Sequence, residues 1–142
     1  MKIAIGSDVN GLTLKNHLKS HLENMDYDVL NVTSNEEYDL FDAATNVSKA
    51  ITDEEADRGI VIDAYGVGSS IVANKYEGII CANVADEHSA KMTVAHNNSS
   101  IITLGSEIIG EILAAKICEA FVKADYDGGR HQIRVDMVNK MC

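Results

Sequence analysis

A glycine-containing turn, DAYGVGSS at residues 63–70, has the composition of a loop that binds an anion. Gly66 and Gly68 let the backbone approach a ligand closely, and the first turn of a following helix favours negative charge. The segment lacks the GK[ST] of a P-loop and the full GxGxxG of dinucleotide-binding folds, so a plain tight turn explains it equally well. It also contains no Cys, Glu or His that could act as a base.

Two aspartates stand where predicted strands end. Asp8 follows the first apolar segment and Asp63 closes a later one, so the two carboxylates could be neighbours above one edge of a sheet. Each could bind a ligand there. Each could equally cap the helix that follows, because Asp is a favoured residue at helix N-termini.

The basic residues of this acidic chain are concentrated near its end. The net charge is −10, yet two of the three arginines, Arg130 and Arg134, stand together in GGRHQIR. The overall charge argues against nucleic-acid binding, which depends on Lys and Arg neutralising phosphates. A spacing of i, i+4 on a helix directs both guanidinium groups the same way, and such groups bind phosphate with paired hydrogen bonds.

Three histidines have a spacing or a neighbour that could matter. His96 precedes Asn97 at a predicted helix-to-strand junction, where it could act as a general acid or base near neutral pH or be an ordinary surface histidine. His17 and His21 have the i, i+4 spacing of a metal-binding pair. No third ligand is evident, so we interpret them as a solvated helix edge and predict no metal site.

Short apolar segments that alternate with amphipathic ones must position these residues. Apolar runs predict strands at 2–6, 28–32, 59–64, 78–84 and 100–105. Helical spacing of apolar residues predicts the helices between them: Leu14, Leu18, Leu22 and Met25; Phe41, Ala44, Val47 and Ile51; 69–75; 86–96; and Ile108 through Phe121. The strands are apolar on both sides, so helices should cover both faces of a five-stranded parallel sheet in a three-layer α/β/α sandwich.

The last segment, 125–142, is predicted to be a helical tail. Gly128 and Gly129 interrupt the preceding helix, after which Ile133, Met137, Val138 and Met141 form an apolar stripe. The stripe should dock either on a partner subunit or on the same domain. At 142 residues, the whole chain is expected to be one domain, and without an apolar run long enough to cross a bilayer it is expected to be cytoplasmic.

The three cysteines and the acidic segments of the sequence indicate no further metal, redox or binding site. Cys81 and Cys118 are expected in the core and Cys142 at an exposed end, because their spacing suits neither zinc nor a redox pair. The acidic segment 35–39 is expected to be a solvated turn or helix end.

Four blocks of sequence, taken together, resemble one known family. GSDVNG, VIDAYGVGSSIVANK, AHNNSSIITLGSEIIG and YDGGRHQIRVDMVNKM occur in this order and span most of the chain. They are similar to the ribose-5-phosphate isomerase B / galactose-6-phosphate isomerase family. The resemblance implies a Rossmann-like sandwich and an enzyme that interconverts aldose and ketose phosphates through ring opening and a cis-enediolate. It also implies sites shared by two chains and no metal or organic cofactor.

The resemblance assigns roles to seven residues. It implies that His96 assists ring opening as the catalytic residue. Asp8 would contact sugar hydroxyls, and the two tail arginines would hold the phosphate. The substrate-binding set is Asp8, Gly66, Gly68, Asn97, Arg130 and Arg134.

Departures from the family pattern concern the proton-transfer base. Asp63 stands where one branch of the family has a Cys base, Tyr65 stands where that branch has Thr, and Ser69 stands where another branch has a Glu base. A positioned base contributes about 10²- to 10⁴-fold to the rate, and an ordinary carboxylate is a weak base. We therefore expect a homologous B-type sister subunit to supply the Cys base.

The resemblance implies the conversion of D-galactose 6-phosphate, a phosphorylated hexose, to D-tagatose 6-phosphate in lactose catabolism, with this chain active only in a heteromer. Three alternatives stay open. The chain could be a non-catalytic scaffold for its partner, or a self-sufficient isomerase that uses Asp63. It could also be a receiver-like signalling domain, although Gly105, Ser106 and Glu107 stand where such a domain has a Lys.

Overall fold

The computed structural model describes residues 1–34 and 37–142, and the first two residues of the acidic segment 35–39 lie outside them. The described strands are β1 (Lys2–Ser7), β2 (Asp28–Asn31), β3 (Arg58–Asp63), β4 (Cys81–Asn83) and β5 (Ile101–Gly105). The described α-helices are α1 (Leu12–Asn24), α2 (Leu40–Thr52), α3 (Val67–Ala73), α4 (Glu87–Asn97), α5 (Glu111–Lys123) and α6 (Gln132–Asn139). Short 3₁₀ turns at Val9–Gly11 and Gly129–His131 precede α1 and α6.

The five strands form one parallel sheet in the order β2-β1-β3-β5-β4. β2 lies on one side of β1, whereas β3 and the later strands lie on the other. The chain therefore reverses its direction of winding between β1 and β3, which is the position where parallel sheets bind ligands. The prediction of a five-stranded, Rossmann-like α/β fold is confirmed.

Two apolar layers explain why the strands have no polar face. In β3, Ile60 and Ile62 belong to the layer that contains α1, α4 and α5, whereas Val61 between them belongs to the layer under α2 and α3. All three side chains are fully buried. Since both sheet faces are covered by helices, every strand position is selected for apolar residues, which confirms the predicted three-layer arrangement.

Two elements begin three residues later than the sequence predicts. β4 was expected over 78–84, but Gly78 has a φ of 78°, and the Asn74 side chain binds both the amide and the carbonyl of Cys81 at 2.8 and 2.9 Å. These contacts shape a turn rather than a strand. Ile108 and Ile109 precede α5 because their amides donate to the carbonyl of Gly105 in a separate turn, and Gly110 caps the helix.

The tail contacts its own domain through a residue outside the predicted stripe. Val135 is 3% exposed, whereas Ile133, Met137 and Met141 are 69, 63 and 82% exposed. The apolar stripe is therefore uncovered in the single chain, and docking on a partner stays a prediction. No described helix combines the length and the apolar character that a membrane span would need.

A divided candidate active site

The residues singled out from the sequence form two groups at opposite ends of the strands. The strand-end cluster follows the carboxyl ends of β1 and β3 and consists of Asp8, Asp63, Gly66 and Gly68. The tail cluster consists of His96, Asn97, Arg130, His131 and Arg134. Helix α4 starts beyond the carboxyl end of β4 and runs back to the amino end of β5, so it carries His96 and Asn97 away from the strand-end cluster.

Asp63 occupies the glycine turn with its own carboxylate. One carboxylate oxygen accepts the amide hydrogen of Gly66, and the other accepts that of Ser69 at 3.2 Å. The side chain is inside the protein, with the residue 3% exposed. The negative charge that the turn was predicted to attract is therefore supplied by the chain itself, and Asp63 ties β3 to the start of α3.

Asp8 is a neighbour of Asp63, as the sequence suggested. Its backbone amide donates to the carbonyl of Ile62 at 3.3 Å, and its carboxylate accepts the amide hydrogen of Gly11 at 3.0 Å. Burial raises the pKa of the Asp8 carboxyl, the Gly11 hydrogen bond opposes this rise, and the negative charge of Asp63 adds to it. Asp8 caps the turn before α1, while its contact with sugar hydroxyls stays a prediction.

Gly66 occupies a conformation and a space that only glycine fits. Its φ is 79°, and a Cβ there would overlap the side-chain amide of Asn83 and lie 3.0 Å from the carbonyl carbon of Leu104. Left-handed strain and overpacking each cost about 1 to 3 kcal/mol. We expect Gly66→Ala to lower the free energy of unfolding by about 2 to 5 kcal/mol, measured by urea denaturation.

Gly68→Ala is the matched control for this substitution. Gly68 has no positive φ, and its added Cβ would crowd the side chain of Leu40 at 3.1 Å and make an ordinary contact of 3.8 Å with Asp63 Oδ2. A gain in helix propensity of about 1 kcal/mol offsets the crowding, so the net cost should stay below about 1 kcal/mol. Equal decreases in the free energy of unfolding for Gly66→Ala and Gly68→Ala would contradict this account of the turn.

His96 lies in the last turn of α4 beside a cavity of about 330 Å³. Asn98 follows in a left-handed conformation, with a φ of 54°, and directs the chain into β5. The cavity is lined by His96, Asn97, His131 and Arg134 together with residues of β4, α4 and α6, and by no member of the strand-end cluster. This cavity therefore contains no member of the strand-end cluster, although His96 also borders a second recess with Asn83, whose side chain contacts the carbonyl of Tyr65 in the glycine turn.

The tail returns to α4 and places a second imidazole on His96. The ring centroids of His96 and His131 are 4.3 Å apart and the rings are within 12° of parallel. Desolvation lowers the pKa of His131, and the neighbouring His96 and Arg130 lower it further. The sequence indicates no role for His131, and its only signal there is its position between the two tail arginines.

The two tail arginines are free to bind an external anion. Arg130 and Arg134 border a shallow recess of about 470 Å³ next to His131, and Arg134 also borders the His96 cavity. Neither guanidinium makes an ion pair or side-chain hydrogen bond with any residue in the ranges 1–34 and 37–142. Arg58, by contrast, is engaged with the carbonyl oxygens of Phe121 and Ala124. An anionic ligand would satisfy the tail arginines.

The two buried cysteines of this chain do not supply the missing base. Cys81 and Cys118 are buried, as predicted, and burial raises the pKa of both thiols to about 12, so both are protonated at neutral pH. Cys142 is exposed at the end of the tail, also as predicted.

His17 and His21 each lie next to a carboxylate of α5. His17 lies 3.6 Å from Glu111, and His21 lies 2.8 Å from Glu119. The two pairs link α1 to α5, so the predicted solvated edge is a helix–helix contact. The i, i+4 spacing therefore has a structural explanation.

Comparisons with known proteins converge on one family. Residues 3–138 match the family model described as Ribose/Galactose Isomerase. The chain is 54% identical, over the full length of both, to "Galactose-6-phosphate isomerase subunit LacA" of Staphylococcus epidermidis. It superposes with a TM-score of 0.95 on ribose-5-phosphate isomerase B of Clostridium thermocellum, at 38% identity, covering 99% of this chain and 97% of that one. It also superposes with a TM-score of 0.91 on ribose-5-phosphate isomerase B of Mycoplasma genitalium with bound ribulose-5-phosphate. The identity is 33%, and the match covers 99% of this chain and 95% of that one.

Proposed function

Because the chain belongs to the ribose/galactose isomerase family, we propose that it is the A-type subunit of a heteromeric galactose-6-phosphate isomerase. The enzyme converts D-galactose 6-phosphate to D-tagatose 6-phosphate, as the resemblance implied. Identity of 54% to a galactose-6-phosphate isomerase subunit, against 38 and 33% to two ribose-5-phosphate isomerases, supports the hexose phosphate as substrate.

In this proposal the tail cluster binds the sugar phosphate and opens its ring. Arg130 and Arg134 bind the phosphate with charge-assisted hydrogen bonds. His96 donates a proton to the ring oxygen while the anomeric hydroxyl loses one, which gives the open-chain aldehyde. Asn97 then donates a hydrogen bond to the oxygen that becomes negative in the cis-enediolate.

A sister subunit completes the reaction. Its Cys thiolate removes the proton from C2 of the aldehyde, which forms the enediolate with the negative charge on the C1 oxygen. The hydroxyl proton of the C2 oxygen then passes to the C1 oxygen, and the thiol returns its proton to C1, which gives the ketose and restores the thiolate. Asp63 of this chain does not take that role, because both of its carboxylate oxygens accept hydrogen bonds from backbone amides. Withdrawing them for catalysis would undo the start of α3.

The observation that carries the proposal is the separation of the two clusters. Residues able to bind a phosphate and open a ring lie at the amino ends of the strands, whereas the glycine turn lies at the carboxyl ends. In the single chain, the His96 cavity contains no residue of the strand-end cluster. A site built from this chain's tail cluster and a partner's glycine turn would contain both halves.

Exposed apolar side chains next to both clusters support such a contact. Phe41, Tyr65, Val67 and Ile71 surround the glycine turn and are 52 to 62% exposed. The uncovered stripe of the tail lies next to the tail arginines. Apolar surface at both places favours burial against another subunit.

Reconstitution tests the proposal directly. The purified chain should show little isomerase activity with D-galactose 6-phosphate, and mixing with a Cys-bearing homologous subunit should raise kcat by at least about 10²-fold, since a positioned base contributes that much. Ketose formation is followed in a coupled assay, and a partner with its Cys replaced by Ser is the control. Full activity of the chain by itself would contradict the proposal.

The self-sufficient alternative is separated by Asp63→Asn in the mixed complex. If Asp63 were the base, turnover would be abolished. The proposal predicts instead a loss of stability of about 1 to 3 kcal/mol, because one buried amide hydrogen loses its acceptor, with kcat of the folded complex nearly unchanged. The match of residues 3–138 to the ribose/galactose isomerase family argues against the receiver-like alternative.

A further inference from the structure

Two imidazoles and a carboxylate stand together beside the His96 cavity. His96, Asp127 and His131 each offer one ligand atom, and these atoms all lie within 4.8 Å of one another. The three residues come from different segments: the last turn of α4, the connection after α5 and the 3₁₀ turn before α6. Their spacing in the sequence gives no metal motif, so only the folded chain brings them together.

The donor set is one that transition metals use. Two imidazole nitrogens and one carboxylate oxygen occur as the three protein ligands of zinc sites that keep a fourth position open. With metal–ligand bonds of about 2.1 Å, donor atoms in a tetrahedral site are roughly 3.4 Å apart. Asp127 is exposed and both imidazoles are half-buried, so rotation of the side chains can close the remaining gap.

Backbone contacts hold the group together in the absence of an ion. The amide of Asp127 donates to the carbonyl of Ala95, next to His96, at 2.9 Å. Gly128 and Gly129 then turn the chain with φ values of 61° and 54°, and the amide of His131 donates to the carbonyl of Gly128 at 3.0 Å. The backbone therefore keeps the three residues next to one another, and the two stacked imidazoles must rotate out of their parallel arrangement to direct a nitrogen each at one ion.

The neighbouring charges set a limit on affinity. The guanidinium groups of Arg130 and Arg134 repel a cation, whereas Asp127 attracts one. We expect binding that is weaker than in a closed site with four protein ligands, and hence reversible. An ion in this position would also occupy a nitrogen of His96.

We propose that His96, Asp127 and His131 form a reversible site for a transition-metal dication such as Zn²⁺, and that the bound ion inhibits the enzyme by occupying the imidazole that opens the sugar ring. The ion is an inhibitor and not a cofactor in this proposal. The inhibition rests on the proposed function, whereas the binding site does not.

Binding is tested on the full-length chain with Co²⁺ as the probe, by visible absorption and calorimetry. Asp127→Asn and His131→Gln should each weaken Co²⁺ binding by at least about 10-fold, the smallest loss usual for residues that merely support a metal ligand. Circular dichroism shows that each variant is folded. His17→Gln is the matched control because His17 and His21 have the rival i, i+4 spacing, and it should leave the affinity unchanged.

Two results would overturn the site: no saturable Co²⁺ binding, or weaker binding in His17→Gln with none lost in Asp127→Asn. Inhibition is tested on the mixed complex by adding Zn²⁺ and then a chelator. Zn²⁺ should inhibit reversibly, and Asp127→Asn should need an at least about 10-fold higher Zn²⁺ concentration for half inhibition, relative to its own metal-free rate. An active complex that stays uninhibited at saturating Zn²⁺ overturns the inhibitory role. An inactive mixed complex whose Co²⁺ site behaves as expected refutes the proposed function alone.

Discussion

Replacing His96 by Gln in the mixed complex should lower kcat by about 10²- to 10⁴-fold, the range that a positioned acid or base contributes. Gln keeps a hydrogen-bonding group of similar reach but cannot exchange a proton near neutral pH. His96 is half-buried and the structure shows no hydrogen bond from its ring to a described residue, so the change in the free energy of unfolding should be below about 1 kcal/mol. Initial rates with D-galactose 6-phosphate and a urea melt measure the two effects.

His88→Gln is the matched control, because His88 is exposed in the first turn of the same helix and does not line the cavity. It should leave kcat unchanged. If this chain were only a scaffold for its partner, His96→Gln would be as harmless as His88→Gln. That result would refute a catalytic contribution from the tail cluster.

Arg134→Ala should lower kcat/KM by about 10- to 100-fold, because a hydrogen bond to a charged group is worth about 1.5 to 3 kcal/mol and each 1.4 kcal/mol is a factor of ten. Arg134 borders both the His96 cavity and the adjoining recess, whereas Arg130 borders only the recess. The loss for Arg130→Ala should therefore be smaller. Arg134→Lys should recover only part of the loss, because Lys cannot form the paired hydrogen bonds of a guanidinium.

Lys140→Ala removes the same charge from the exposed end of the same helical tail and is the control for long-range electrostatics. It should change kcat/KM by less than about twofold at physiological salt, where charges more than about 8 Å apart are largely screened. Inorganic phosphate should inhibit the wild-type complex by competing with the substrate. Its inhibition of the Arg134→Ala complex should be much weaker. Undiminished phosphate inhibition in that variant would place the anion elsewhere.

The sequence determined the fold and the types of residue available for chemistry. Uninterrupted apolar strands such as 59–64, separated by helical patterns, leave few arrangements other than a parallel sheet covered on both faces, because hydrophobic periodicity is a local property that packing preserves. Departures at Asp63 and Tyr65, compared with the resembled family, were also readable directly, and from them came the expectation of a partner's base. Element ends were less well predicted, since side-chain contacts such as those of Asn74 with Cys81 decide where β4 begins.

Only the tertiary structure decided which of these residues can act together. It places Asp63 and His96 at opposite ends of the strands, because α4 reverses the chain direction between β4 and β5. It also shows Asp63 binding the amides of its own turn, and it stacks His131 on His96 through a turn at two left-handed glycines. These contacts depend on how segments that are distant in the sequence pack against one another, so no local sequence pattern predicts them.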